Sequence, residues 1–266
     1  MDLKLVHENL RDAVEEQLLF VAAAESIDDL AGPLEQLTGL FEGLGLCHLL
    51  EDLDLEEYRI NLTRAAYARR YYLRKCAAAG LSNRRLALSR TDAVLDALAI
   101  RGASLAREIA NLSRADWNPD WEYRDDYCYF SLIHQFSGGE PTKPAAELLE
   151  DFETALEGQS SPRWELCRAL AAGEAAPFAE AWTELMEETR ERNDDARARM
   201  VEPDLPTFLY WPRSFVSVEG LALLYLAESR RLTPEPTHPL CPSAARRIGP
   251  GALVADLFEE IEAARQ

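Results

Sequence analysis

Five carboxylates and six aromatic rings fall within one short stretch, Asp116-Trp117-Asn118-Pro119-Asp120-Trp121-Glu122-Tyr123-Arg124-Asp125-Asp126-Tyr127-Cys128-Tyr129-Phe130. Rings give a large contact area for few frozen torsions, which suits them to anchoring a partner protein. Carboxylates beside them supply charge complementarity to a basic partner and raise its on-rate. The binding candidates are therefore Asp116, Trp117, Asp120, Trp121, Glu122, Tyr123, Asp125, Asp126 and Tyr127. The same residues have a structural alternative. The rings can seat a loop in the core, while Asp125 and Asp126 cap a helix N-terminus and meet its dipole.

Other chemistries find less support. His48-x-x-Glu51 puts an imidazole and a carboxylate on one helical face, near Asp52 and Asp54, but two ligands do not make a metal site. Asp125-Asp126 and Asn193-Asp194-Asp195 invite comparison with magnesium-diphosphate motifs, yet lack further carboxylates a turn away. There is no GxSxG, GxxxxGK[ST] or GxGxxG, and no cysteine in a glycine-rich or electropositive setting. The sequence assigns no catalytic residue, no metal and no cofactor. Arg64, Arg69, Arg70, Arg74 and Lys75 interleave with Tyr67, Tyr71 and Tyr72 as a nucleic-acid-binding stripe would. The plainer account is a helix whose rings enter the core and whose cations form a solvated or internally paired face.

The elements that carry these residues read as helices throughout. Leu3, Val6, Leu10, Val14, Leu18 and Val21 step by three or four along one face. Ser26-x-x-Asp29 resembles an N-cap, Asp54 opens a helix from Leu55 to Ala79, and Gly80 closes it. GLFEGLG at 39–45 reads as a helix-breaking patch. Further helices are predicted around 83–100, at 103–112 and from Arg124 or Asp125. Beyond these, helices are predicted at 145–158, at 162–172 between Ser161 and Gly173, and at 177–201. Pro203, Pro206 and Pro212 suggest a connection, followed by a helix at about 216–231. A loop with Pro234, Pro236, Pro239 and Pro242 then precedes a last helix after Pro250. The expected class is all-α, with about ten helices in antiparallel pairs, as a compact bundle or a short solenoid-like stack without a sheet. One domain over 1–266 is expected, with GGEPTKP at 138–144 as the natural subdivision between 1–137 and 145–266.

The net charge of −19 argues against nucleic acid or an anionic membrane as a constitutive partner. Its distribution is uneven: residues 1–60 carry −12 and residues 61–113 carry +7. Five scattered cysteines without a CxxC, no basic n-region before an apolar run and no membrane-length apolar stretch all predict a cytoplasmic protein.

SRADWNPDWEYRDDYCYFSLIHQF, SFVSVEGLALLYLAESRRL and THPLCPSAARR, in this order, resemble the immunity protein 49 family of bacterial polymorphic-toxin systems. Asp125, Asp126, Tyr127 and Cys128 fall on its acidic-aromatic motif. Val218, Glu219, Gly220 and Leu221 fall on the second, and Pro239, Leu240, Cys241 and Pro242 on the third. The resemblance implies a protein, not an enzyme, that neutralises a cognate toxin of the type VI or contact-dependent kind. Its partner would be the toxin's C-terminal domain, expected to be basic and to be blocked at its active site. Glu219, Gly220, Pro239, Cys241 and Pro242 are expected to maintain the architecture. The alternatives are an enzyme reversing a toxin-made modification, or a scaffold or nucleic-acid adaptor using 61–113.

Overall fold

The computed structural model describes residues 2–90, 92–113, 116–141, 143–199, 205–232, 237–249 and 254–265. Their regular structure is twelve helices of eight residues or more, one four-residue helical turn and two 3-10 turns, with no strand among the described residues. The chain is all-α, as its periodicity predicts.

Helices α1 (Leu3–Ala23), α2 (Ile27–Glu51) and α3 (Leu55–Ala79) follow one another through short connections and pack in sequence, so neighbours run antiparallel. Helix α1 buries Val6, Leu10, Val14, Gln17 and Val21, the stripe its spacing dictates. Helix α2 opens with a reciprocal capping box. Ser26 Oγ accepts from the Asp29 amide at 3.2 Å, and the Asp29 carboxylate accepts from the Ser26 amide at 2.9 Å. Asp54 caps α3 by accepting from the amides of Glu56 and Glu57, and Gly80 ends it at φ +63°.

The predicted break at 39–45 is absent, and α2 runs straight through it. A Cβ on Gly45 would stand 2.6 Å from Leu62 Cδ1 and 3.1 Å from the Tyr58 carbonyl; one on Gly43 would stand 3.2 Å from Leu10. The glycines let α2 approach both neighbours, and that packing outweighs the ~1 kcal/mol each costs in helix propensity.

The predicted helix at 83–100 also needs correction. Two 3-10 turns, Arg84–Leu86 and Leu88–Arg90, precede α4 (Asp92–Ala99). Asn83 Oδ1 accepts from the Arg85 amide at 2.9 Å and starts the first turn. The next helices are α5 (Ala103–Leu112), α6 (Arg124–Phe136), α7 (Ala145–Ala155), α8 (Pro162–Ala172) and α9 (Ala175–Arg199). Ser161 caps α8, Pro162 takes its first position and Gly173 closes it at φ +75°.

The predicted proline connection before residue 213 instead holds helix α10 (Leu205–Arg213). Pro206 falls in its first turn, where no amide donor is needed, and Pro212 sits one residue from its end. Helix α11 (Val218–Ser229), the turn α12 (Ser243–Arg246) and helix α13 (Leu257–Ala264) complete the chain. Pro203, Pro234, Pro236 and Pro250 lie outside the described residues.

Helix α11 buries residues on every side, including Leu221, Leu223, Leu224 and Leu226, because it lies between α4 and α9. Helix α10 packs on α1 and α2, and α13 on α3. These long-range contacts close the array into a bundle.

Six of the ten cations of the Arg-rich segment have a carboxylate partner among the described residues, whereas the buried Arg69 donates to the Arg85 carbonyl at 2.7 Å. Arg70 holds Glu108 at 3.0 Å and also Asp256; Arg74 holds Glu108 and, at 2.7 Å, Glu259. Lys75 meets Glu262, Arg85 and Arg90 share Glu35, and Arg101 meets Glu228 at 2.6 Å. Tyr67, Tyr71 and Tyr72 are buried. All five cysteines are free and buried, and burial pushes the Cys47 and Cys241 thiols up to about 12.

Candidate functional site

The acidic-aromatic stretch forms a loop and the first turns of α6. Asn118 organises the loop: its Oδ1 accepts from the Asp120 amide at 2.9 Å, and its carbonyl accepts from the amides of Trp121 and Glu122. Glu122 turns inward. Its carboxylate accepts from the Ser89 amide at 2.9 Å, and its carbonyl from the Trp117 indole N–H at 3.2 Å. The second 3-10 turn thus pins the loop from behind.

Tyr123 sits at the N-cap of α6 without offering a side-chain cap, and Asp125 and Asp126 follow in the first turn, where the helix dipole favours negative charge. Tyr123 is 80% exposed. Arg124 lies over the Trp117 ring at 4.7 Å and the Tyr127 ring at 5.5 Å, and its Nη2 donates to Asp151 at 2.5 Å. Lys143 also reaches Asp151, and the two cations hold that carboxyl below its usual range.

The nine candidates therefore separate. Asp116, Trp117, Asp120 and Tyr123 are exposed, and Trp121, Asp125 and Asp126 are half-buried. Glu122 and Tyr127 are buried, together with Cys128, Tyr129 and Phe130, and support the face from inside. Asp125 and Asp126 meet the dipole from the first turn of α6 but do not cap it, because Tyr123 takes the N-cap position ahead of them.

An open groove of about 510 Å³ runs along this face, lined among others by Arg90, Pro119, Asp120, Trp121, Tyr123 and Asp126. Burial, and then neighbouring Asp125, push the Asp126 carboxyl above its ordinary value; Arg163, 3.6 Å away, opposes them. Arg163 is itself committed to Glu219, donating from Nε at 2.9 Å and from Nη2 at 3.2 Å. Tyr129 donates to the same carboxylate at 2.7 Å, with the Arg163 guanidinium 4.6 Å from its ring.

The other motif residues meet behind this network. A Cβ on Gly220 would stand 2.5 Å from Met186 Sδ and 2.7 Å from Cys241 Sγ, so only glycine fits. The Gly220 carbonyl accepts from the Trp182 indole N–H at 3.0 Å. Ser217 caps α11, and its amide donates to the Leu240 carbonyl at 2.7 Å, which docks the Pro239–Pro242 segment. Pro242 is the N-cap of α12, Cys241 is buried, and Pro239 is exposed at the turn.

The sequence matches the family described as Immunity protein 49 over residues 2–245. The chain belongs to that family. Its role is accordingly an immunity function. No curated protein and no solved structure gives a significant match to the chain.

Elsewhere in this immunity protein the fold joins residues whose spacing gave no hint. His7 Nδ1 lies 2.7 Å from Glu51, with its ring edge-on to His48 at 4.5 Å, so α1 brings a second imidazole to the His48-Glu51 pair. Among the described residues no group of three potential ligands is placed to hold a metal ion. Asp194 is engaged by Arg190 and Arg197 along α9. No helix among the described residues is long and apolar enough to cross a membrane.

A buried acidic cluster was also invisible in the sequence. Asp96 of α4 is fully buried, and neither carboxyl oxygen has a hydrogen-bond partner among the described residues. Glu42 of α2, paired with Arg213 of α10, is pushed up to about 7, chiefly by burial and then by Asp92. Asp96 is raised by burial and then by Glu42. The Tyr58 hydroxyl of α3 shares this field and also lacks a partner among the described residues.

Proposed function

We propose that this immunity protein neutralises a cognate toxin by binding it tightly and covering its active site with the face built by residues 116–126. The observation that carries this reading is Tyr123. Its ring projects almost wholly into solvent from the rim of an acidic groove, in a chain of the immunity protein 49 family. Large rings at a groove rim are the usual anchors of protein interfaces, and flanking carboxylates select a basic partner. Trp117, Asp116 and Asp120 extend the face, and Glu122 and Tyr127 hold it from behind. The Arg-rich helix α3 supports binding over a nucleic-acid role, because most of its cations face carboxylates of the same chain. The reading places the protein in the cytoplasm, acting without cofactor or turnover.

Co-expression with the toxin domain encoded beside it tests the proposal. Rescue of growth together with a one-to-one complex that survives gel filtration is expected. Tyr123→Ala should weaken that complex at least tenfold with unchanged helicity, within the usual range for an interface anchor. Protection without a stable complex, together with turnover of a modified target, would replace this reading with a repair enzyme.

A further inference from the structure

We infer that the buried guanidinium of Arg69 holds a small monovalent anion, of chloride's size, in a cavity between α2, α3 and the first 3-10 turn. The inference is independent of the toxin-binding reading, and its test needs no toxin.

Three observations converge on an anion. First, Arg69 is 9% exposed and has one hydrogen-bond partner among the described residues. Its Nη1 donates to the Arg85 carbonyl at 2.7 Å, while Nε and Nη2 have no partner there. Nε and Nη2 form one edge of the guanidinium, with parallel N–H bonds, and that fork is the edge that receives anions. Elsewhere in the chain a carboxylate fills the same edge: Glu219 on Arg163, Glu165 on Arg168 and Glu187 on Arg190. Those three arginines are more exposed than Arg69, so burial makes its need for a counter-charge the greater.

Second, the neighbours do not supply that charge. Glu35 supports Arg69, but its two carboxyl oxygens are taken by Arg85, at 3.2 Å, and by Arg90. Three guanidiniums thus share one carboxylate. Burial pushes Arg69 down to about 10, so it stays charged at neutral pH. The polar groups beside it are neutral and engaged: the Thr38 hydroxyl donates to the Leu34 carbonyl at 3.0 Å, and the Tyr72 hydroxyl accepts from the Asn83 amide at 3.0 Å. Third, the cavity that Arg69 lines has a volume of about 20 Å³, room for one body of about water's size. Chloride fits this space, whereas sulfate and phosphate are too large. A water there would satisfy the N–H groups but not the charge. Arg85 and Glu35, both about half-exposed, line the cavity towards solvent, and parting such a surface pair costs little, so an ion can enter.

The probe is chloride, followed by its ³⁵Cl NMR line width with the full chain, at an ionic strength held constant with gluconate, an anion too bulky for the cavity. Saturable broadening is expected, reversed by bromide and untouched by sulfate. Arg69→Met should abolish it. Glu35→Gln removes the competing carboxylate from an exposed position and should tighten chloride binding about threefold or more, which keeps the assignment testable if the Arg69 variant does not fold. Crystals grown in bromide locate the ion, with an anomalous peak expected on the Nε–Nη2 edge of Arg69. Absence of broadening overturns the assignment, as does broadening that sulfate removes as readily as bromide or that survives in folded Arg69→Met. Chloride binding that is unchanged or weakened in Glu35→Gln also overturns it. So does a water at Arg69 in crystals whose bromide sits elsewhere.

Discussion

Arg163 grips Glu219 through two parallel hydrogen bonds, which fastens the first turn of α8 to the first turn of α11 directly behind the groove. Asp126 and Tyr129 of α6 complete the knot, so three helices meet at one guanidinium–carboxylate pair. Glu219 thus links α11 to α8 through Arg163 and to α6 through Tyr129.

Glu219→Ala would leave Arg163 with a weak contact to Asp126 and the Tyr129 hydroxyl without its acceptor. Removing one partner of a well-buried pair costs about 3–5 kcal/mol; Arg163 is one-third exposed, so a loss of about 2 kcal/mol is expected here. Urea denaturation measures it. Toxin affinity, extrapolated to fully folded protein, should change less than threefold if Glu219 serves the frame alone.

The Glu42–Asp96 cluster sets a pH dependence with an uncommon sign. Both folded-state values lie above the unfolded ones, with Glu42 at about 7, so between about pH 4 and 7 the native state holds more protons than the unfolded chain. Stability should fall as pH rises through this window, by about 1.4 kcal/mol per pH unit for each group titrating. The groups facing the cluster are Asp92, Tyr58, Arg213 and Tyr210. Arg213 stays charged throughout, and Tyr58 is raised out of range. Asp96→Asn should therefore stabilise the protein by about 1 kcal/mol or more at pH 8 and much less at pH 5. Chemical denaturation at the two pH values decides it. A wild-type stability that climbs from pH 5 to 8 would mean the depressed carboxylates, such as Asp151, dominate instead.

What the sequence disclosed follows from the range of the interactions involved. Helix ends made by near neighbours were legible: the Ser26–Asp29 box, the Asp54 cap, and Ser161, Pro162 and Gly173 around α8 all act within a few residues. Gly43 and Gly45 were misread because their use depends on Leu10 and Leu62, which belong to other helices. Helix α10 was missed because prolines near both its ends look like punctuation until α1 and α2 give it a surface. At the candidate site the cluster of rings and carboxylates was plain. The inward turn of Glu122 was not, since it answers a backbone amide at Ser89, in a turn that periodicity had read as helix. Asp96, Glu42 and Arg213 come from three separate helices, and no local pattern joins them.

Charge steering gives a kinetic prediction. With a net charge of −19 and exposed Asp116 and Asp120 on the face proposed to bind, association with a basic toxin should slow as salt screens the field. The on-rate is expected to drop on the order of tenfold between low and high salt, with the off-rate changing much less. Stopped-flow fluorescence follows both. A salt-independent on-rate would assign the acidic surplus to something other than toxin capture.

Two glycines of α2 give different outcomes for the same substitution. At Gly45 an added methyl would enter the space of Leu62 Cδ1 and the Tyr58 carbonyl, and the backbone contact cannot rotate away. Helices α2 and α3 would have to separate along their whole contact, so Gly45→Ala should cost about 2–3 kcal/mol. At Gly32 a Cβ meets nothing within 4 Å and the backbone is already helical. Pro33 follows directly, however, and its Cδ crowds a Cβ on the helical residue before it, which offsets the freedom that Gly32→Ala removes from the unfolded chain, so the change should stay below about 0.5 kcal/mol. Thermal denaturation of the two single variants separates the two outcomes. If Gly45→Ala melted with the wild type, the close approach of α2 to α3 would not be what stabilises the centre of the bundle.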